Sequence, residues 1–208
     1  MTQSFQNSIL HHCQLKNNTV FLDGKRYFEN KEVDDFSVFA KSLYQFLELK
    51  YPKFYKMDAM SKLGFLTFEC LLKAVENFAN LDHEKTGVFL ANLNASLETD
   101  EQYWATTQGE EAHPSPSLFV YTLPNIVIGE MCIRHKIKGE HAFFVFEELD
   151  AAFICNYVNN LLNTEKINAC AVGWVESYGE NRVTDFMWIE RGKGEIPFNR
   201  EQVEKLLV

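Results

Sequence analysis

Short apolar runs alternate with long stretches of helical periodicity, and this alternation limits the fold more than any other feature. Residues 86–93 and 141–146 are apolar runs of strand length. Between them lie segments whose composition suits helices and a polar loop. Upstream, Met60, Leu63, Gly64, Thr67, Cys70, Leu71, Ala74, Val75 and Phe78 recur at i, i+3, i+4 and i+7 spacing, which makes one broad helical face apolar. Strands separated by long helical crossovers imply a mostly parallel sheet with helices on both faces.

The remaining elements follow from local chemistry. Residues 7–28 read as strand, interrupted by the Asp23-Gly24 turn signal. Asp34 or Asp35 can cap a helix reaching about Leu49, and Pro52 closes it. A polar helix covers 99–108, and 110–117 is a proline-containing loop. Pro124 suits the first turn of a helix running to about Lys136. Residues 149–162 form a helix carrying the small residues Ala151, Ala152 and Cys155. Segments 168–175 and 183–190 are strands joined through Tyr178-Gly179-Glu180-Asn181, which adds an antiparallel edge. Asn199 caps a last helix to Leu207. With no linker, repeat or low-complexity tract, residues 1–208 read as a single domain.

Composition excludes several functions. A net charge of −9 argues against general nucleic-acid binding, which needs clustered Lys and Arg. The local basic group Arg134, His135, Lys136 and Lys138 suits a helix C-terminus. No run approaches the length of a membrane span, and residues 1–10 show no signal pattern. The five cysteines, Cys13, Cys70, Cys132, Cys155 and Cys170, form no C-x-x-C pair and read as buried thiols of a cytoplasmic protein. No metal or cofactor is expected. Cys132 and His135, spaced i, i+3, read as a packed thiol beside a surface imidazole rather than a catalytic dyad.

The turn after 141–146 is the informative place. Many enzymes put a Cys or Ser at such a strand-to-helix turn, and this chain puts Glu147 and Glu148 there. Acids are favoured in a first helical turn, so helix initiation accounts for both. Adjacent carboxylates on a helix diverge and make a poor acid–base pair, even with Asp150 as a companion.

An ordered series of segments resembles the N-terminal half of the β-ketoacyl synthases, of the thiolase-like superfamily. It comprises Lys56-Met57-Asp58 opening a helix, the strand at 86–90, the helix at 97–103, Ser115-Pro116-Ser117-Leu118-Phe119, Leu123-Pro124-Asn125, Gly129, Ile133-Arg134, Lys138-Gly139 and the strand at 169–173. The resemblance implies half of a thiolase-like fold. It places the family's acyl-accepting Cys nine residues after Gly139, where this chain has Glu148. A carboxylate there would yield only a mixed anhydride. The family's catalytic histidines lie in a second half that the chain is expected to lack. Residues 92–96 replace a glycine-rich turn.

By resemblance the chain is similar to short chain-length-factor-type partners of aryl-polyene and flexirubin ketosynthases. The implied partners are a full-length ketosynthase and an acyl carrier protein, in a homo- or heterodimer. Leu97, Leu118 and Phe119 fall where the family lines its acyl pocket, although Phe119 reads equally as a core aromatic. The strand carrying Phe143, Phe144 and Phe146 falls where the family pairs across its dimer. Two other classes stay open. One is a free-standing module that binds acyl carrier protein or acyl chains. The other is an unrelated small hydrolase using a cysteine or the acidic cluster.

Overall fold

The computed structural model describes residues 6–31, 35–110 and 112–207. The chain opens with three antiparallel strands, β1 (Asn7–Lys16), β2 (Thr19–Leu22) and β3 (Lys25–Glu29). Two turns separate them. Asp23-Gly24 is the expected one; Asn17-Asn18 is the other, with φ of 50° and 52°. Consecutive left-handed residues suit a two-residue hairpin, and Asn tolerates that conformation better than most residues.

Helices α1 (Phe36–Phe46) and α2 (Ala59–Leu72) follow. Asp35 caps α1 by accepting from the Ser37 and Val38 amides at 2.6 and 3.3 Å. Asp34 lies outside the described residues. Strand β4 (Thr86–Asn92) leads into α3 (Leu97–Thr106), α4 (Pro116–Val120) and α5 (Ile126–His135). α4 begins inside the stretch expected as loop, with Pro116 in its first turn and Ser115 as its cap. Strand β5 (His141–Val145), α6 (Ala151–Asn163), β6 (Ala169–Tyr178), β7 (Asn181–Arg191), the short β8 (Ile196–Pro197) and α7 (Arg200–Leu206) complete the order.

All eight strands join one mixed sheet in the order β3-β2-β1-β7-β6-β4-β5, with β8 beside β1. The mixed sheet and its helices on both faces are as expected, but the balance of directions is not. β4 pairs in parallel with β5 and with β6, and the remaining ladders are antiparallel. The β6–β7 hairpin is also central rather than an edge, because β1 runs antiparallel along the far side of β7.

Alternation along the strands sorts the core into two layers. Val88, Leu90, Ala169, Ala171, Phe186 and Trp188 face α1, α2 and α5. Phe89, Cys170, Val172, Met187 and Ile189 face α6 and α7. On β1 the alternation breaks: Ile9 opposes Ile189 while His11 opposes Trp188, so Leu10 is an extra residue. Ile9 consequently packs with α6 and α7, whereas Cys13 and Leu15 pack with α2. The α6 face, which a half-fold would leave bare, is covered by α7 through Phe198, Val203 and Leu207.

One glycine fixes how β5 enters the sheet. A side chain at Gly139 would collide with the Thr86 backbone, carbonyl oxygen included. This close approach lets the chain after α5 turn directly into the ladder beside β4.

Candidate functional site

The turn between β5 and α6 is built by two ties. The Phe146 amide donates to the Asn92 carbonyl at 2.9 Å, which joins the ends of β5 and β4. Asp150 then caps α6, accepting from the Phe153 amide at 2.8 Å. Asp150 is thus the cap, and Glu147 and Glu148 are not the first-turn acids they were expected to be. α6 starts at Ala151, and both glutamates lie before it, exposed. Glu148 is thus a solvated carboxylate outside the helix, beyond the helical turn where a dipole would act on it. A depression of about 410 Å³ beside it is lined by Glu147, Glu148, Asp150, Arg200 and Glu204. Arg200 there is bound to Glu204 at 2.6 Å.

The loop after β4 is shaped by carboxylate and amide groups in place of glycines. Buried Asn92 bonds both ways with Ala95, donating to its carbonyl at 2.8 Å and accepting from its amide at 2.9 Å. Buried Glu176 on β6 accepts from the Leu93 amide at 2.9 Å and from the Asn94 side chain at 3.0 Å. Ala95 takes the left-handed turn at φ 49°. Asn92 and Glu176 escape sequence reading, because nothing local links two residues on different strands.

The pocket candidates come to one surface. Leu97 opens α3, and Phe119 on α4 stands 58% exposed, its ring 5.4 Å from that of Tyr103. Phe119 is therefore not a core aromatic. Leu118 beside it is half-buried. Leu97, Tyr103 and Trp104 line an apolar depression of about 410 Å³ rimmed by Asp100 and Glu101. Behind this surface, buried Glu130 on α5 binds Lys53 at 2.8 Å, the Tyr51 hydroxyl at 3.1 Å and the Tyr121 hydroxyl at 3.2 Å. Burial, then the Glu130 charge, pushes the Tyr121 phenol well above its usual range. It stays a neutral donor that holds the end of α4 against α5.

The three strand candidates do not share a direction. Phe143 packs toward the α2 and α5 layer, whereas Phe144 and Phe146 stack on the α6 side with ring centres 5.8 Å apart. Phe144 also meets Phe153 and Tyr157 edge-on, at 5.1 and 5.4 Å. Val145, the last residue of β5, is 52% exposed. β5 ends the sheet, so its outer edge is unpaired among the described residues.

Four of the cysteines are held toward the neutral thiol. Burial raises Cys132 and Cys155 to about 11, and raises Cys170 further. Cys13 is raised first by its hydrogen bond with Cys70 and then by burial. His135 is not a surface imidazole: it lies between Phe68 and Phe78 and bonds Glu69 at 2.8 Å. Arg134 reaches the same carboxylate, and Lys138 pairs with Glu84 at 2.6 Å. Arg134, His135 and Lys138 of the basic cluster are thus paired within the chain. Among the described residues no His, Cys, Asp and Glu group could hold a metal ion, and no helix is long and apolar enough to cross a membrane.

No protein-family model matches the sequence, and no curated protein matches it. Solved structures do match. The ishigamide ketosynthase/chain length factor superposes with a TM-score of 0.64 at 14% identity, over 92% of this chain and 64% of that one. A type II polyketide ketosynthase bound to a hexaketide, AntDE with its acyl-carrier protein AntF, gives 0.66 at 12% identity, over 97% and 64%. The ketosynthase ApeO in complex with its chain length factor ApeC from Xenorhabdus doucetiae gives 0.56 at 12%, over 91% and 80%. The fold is that of the ketosynthase and chain length factor proteins. The chain spans 64% of the length of the first two neighbours. This ketosynthase-like half-fold puts Glu148 where the strand-to-helix turn meets solvent.

Proposed function

We propose that the chain is a non-catalytic, ketosynthase-like accessory subunit of the chain-length-factor type. In this reading it pairs with a full-length ketosynthase in the cytoplasm and takes part in fatty-acid or polyketide-type chain elongation, polyene chains included, on an acyl carrier protein. The observation that carries the reading is the turn from β5 to α6. It keeps the backbone ties of a positioned site and presents exposed carboxylates instead of a nucleophile. The unpaired β5 edge and the exposed apolar surface of α3 and α4 supply places for a partner.

The test mixes the chain with a ketosynthase and a malonyl-loaded carrier protein. Condensation is expected only when the ketosynthase is present, and Glu148→Cys in this chain alone is expected to restore none. Product made by the isolated chain would overturn the reading. With an active pair, Phe119→Ala is expected to shift the product-length distribution; an unchanged distribution removes Phe119 from the pocket.

The exposed surface of Leu97, Trp104 and Phe119 also favours a second reading, a free-standing acyl-chain or carrier-protein binding module. Its acidic rim disfavours an acidic carrier protein. Capture of a ketosynthase in a pull-down separates the two. The upward shifts of Cys13, Cys132, Cys155 and Cys170 weigh against a cysteine hydrolase built on any of them.

A further inference from the structure

A cavity of about 1150 Å³ lies at the end of the sheet where the β1–β2 and β6–β7 turns meet α1 and α2, and it reaches the β5–α6 turn at Leu149. Trp174, Val183, Leu149 and Leu207 give it apolar walls, and Gln14 and Asp185 belong to its floor on the sheet. Lys62, in the first turns of α2, lines it and is half-buried. Its amide donates to the Asp58 carbonyl at 3.0 Å, but among the described residues its side-chain amine makes no ion pair or hydrogen bond.

The neighbouring charges are already engaged. Asp58, one turn before Lys62, accepts from the Ser61 amide and the Thr99 hydroxyl, each at 3.0 Å. Asp185 is held by His12 and by Gln14 at 2.7 Å. Arg182 binds both oxygens of Glu98, at 2.8 and 3.0 Å. Asp35 is the cap of α1, and Lys16 and Glu180 are exposed at the rim. Among the described residues Lys62 is thus an amine held partly out of water with no counter-charge in contact, beside a cavity with room for an organic chain. Burial lowers its pKa, against a smaller upward pull from Asp58. A desolvated lysine of this kind carries more free amine than a surface lysine.

We propose that Lys62 is an acyl-acceptor site, whose amine takes an acyl group from a thioester with its chain in this cavity. The neutral Nζ attacks the thioester carbonyl, and the new N–C bond forms as the C–S bond breaks. The thiolate leaves and takes up the proton the nitrogen loses; no oxidant or reductant is involved. The choice of a thioester donor rests on the accessory-subunit reading, whereas the reactivity of the amine does not.

The experiment incubates the full chain, without any partner, with hexanoyl coenzyme A. Acylation is then quantified at every lysine by peptide mass spectrometry. Lys16, exposed at the rim of the same cavity, is the internal comparator, so the result does not hang on the folding of a variant. Expected is an occupancy at Lys62 at least about fivefold above that at Lys16 near pH 7, with the ratio narrowing as pH rises toward about 10. Ala59→Phe, which narrows the cavity beside Lys62, is expected to lower the Lys62 signal and leave Lys16 unchanged. Equal or lower occupancy at Lys62 than at Lys16 overturns the proposal. Capture of a ketosynthase is measured separately and is indifferent to this outcome, so the failure of either idea is recognisable.

Discussion

The two edges of the sheet are built differently. β3 is lined by Lys25, Arg26 and Glu29, with Arg26 and Lys31 both paired to Glu29, at 2.9 and 2.7 Å. Charges of that kind discourage another strand from adding to the ladder. β5 reads His-Ala-Phe-Phe-Val, with no Lys, Arg, Asp or Glu and with its final valine half in solvent. Among the described residues, one end of the sheet is charged and the other is unpaired and uncharged. If the chain pairs with a ketosynthase as proposed, the contrast makes β5 the edge to test for that contact. It also separates two jobs that one strand performs, since Phe143 and Phe144 belong to the chain's own core layers while the backbone edge stays free.

The strongest challenge to that separation is Phe144→Ala. Its ring touches three other aromatic rings, so the isolated chain is expected to lose on the order of 3 kcal/mol, read by chemical denaturation. Unchanged stability would mean that the ring serves only a partner. Next is Glu69→Gln, which loosens the brace between α2 and α5 under the β5 end of the sheet. Burial alone would raise this carboxyl, but His135 and Arg134 outweigh it and hold it below its ordinary value. Its stabilisation is therefore present above the unfolded carboxylate pKa of about 4.3 and fades as pH falls through the lower folded value. The variant is expected to cost about 2 kcal/mol at pH 7. Denaturation midpoints that stay equally far apart in acid would contradict the ionic origin.

Val145→Lys gives β5 the kind of charge that β3 carries. Stability is expected to hold within about 0.5 kcal/mol, while ketosynthase capture weakens about tenfold, or about 1.4 kcal/mol. Unaltered capture would move the interface elsewhere. The reciprocal change, Lys25→Thr with Arg26→Val, removes charge from β3. It should leave monomer stability within about 0.5 kcal/mol and raise self-association, visible in sedimentation. A chain still monomeric at high concentration would make the charges on β3 incidental.

Much of this arrangement was legible in the residues, and the failures share a cause. Asp35 and Asn199 act as caps as read, because capping is local chemistry, and the spacing of apolar residues in α2 placed that helix; the cap Asp150 was missed. The central position of β7 was not legible, because it depends on the N-terminal strand returning to pair with it across the whole chain. At the candidate site, counting nine residues from Gly139 reached Glu148, which lies in the exposed turn before α6. Glu176 beneath the loop after β4, Glu130 behind α4, and the exposure of Phe119 all arise from contacts between distant segments. Periodicity also ran the end of α2 too far: Val75 and Phe78 keep the apolar spacing, but the chain leaves the helix at Leu72 and turns left-handed at Asn77.

The extra residue in β1 makes this strand unevenly tolerant of shortening. Leu10 faces no residue of its own on β7, so the ladder is counted without it. Deleting it would leave His12, Gln14 and Lys16 opposite the partners they already have. Deleting His12 instead would turn part of the strand over, exchanging core side chains for polar ones. Two deletions of equal length, two positions apart, are thus expected to differ as a nick differs from a break, and their thermal midpoints would show it. The bulge acts as slack in the chain: an accident of length is absorbed at one point of β1 and is damaging just beyond it.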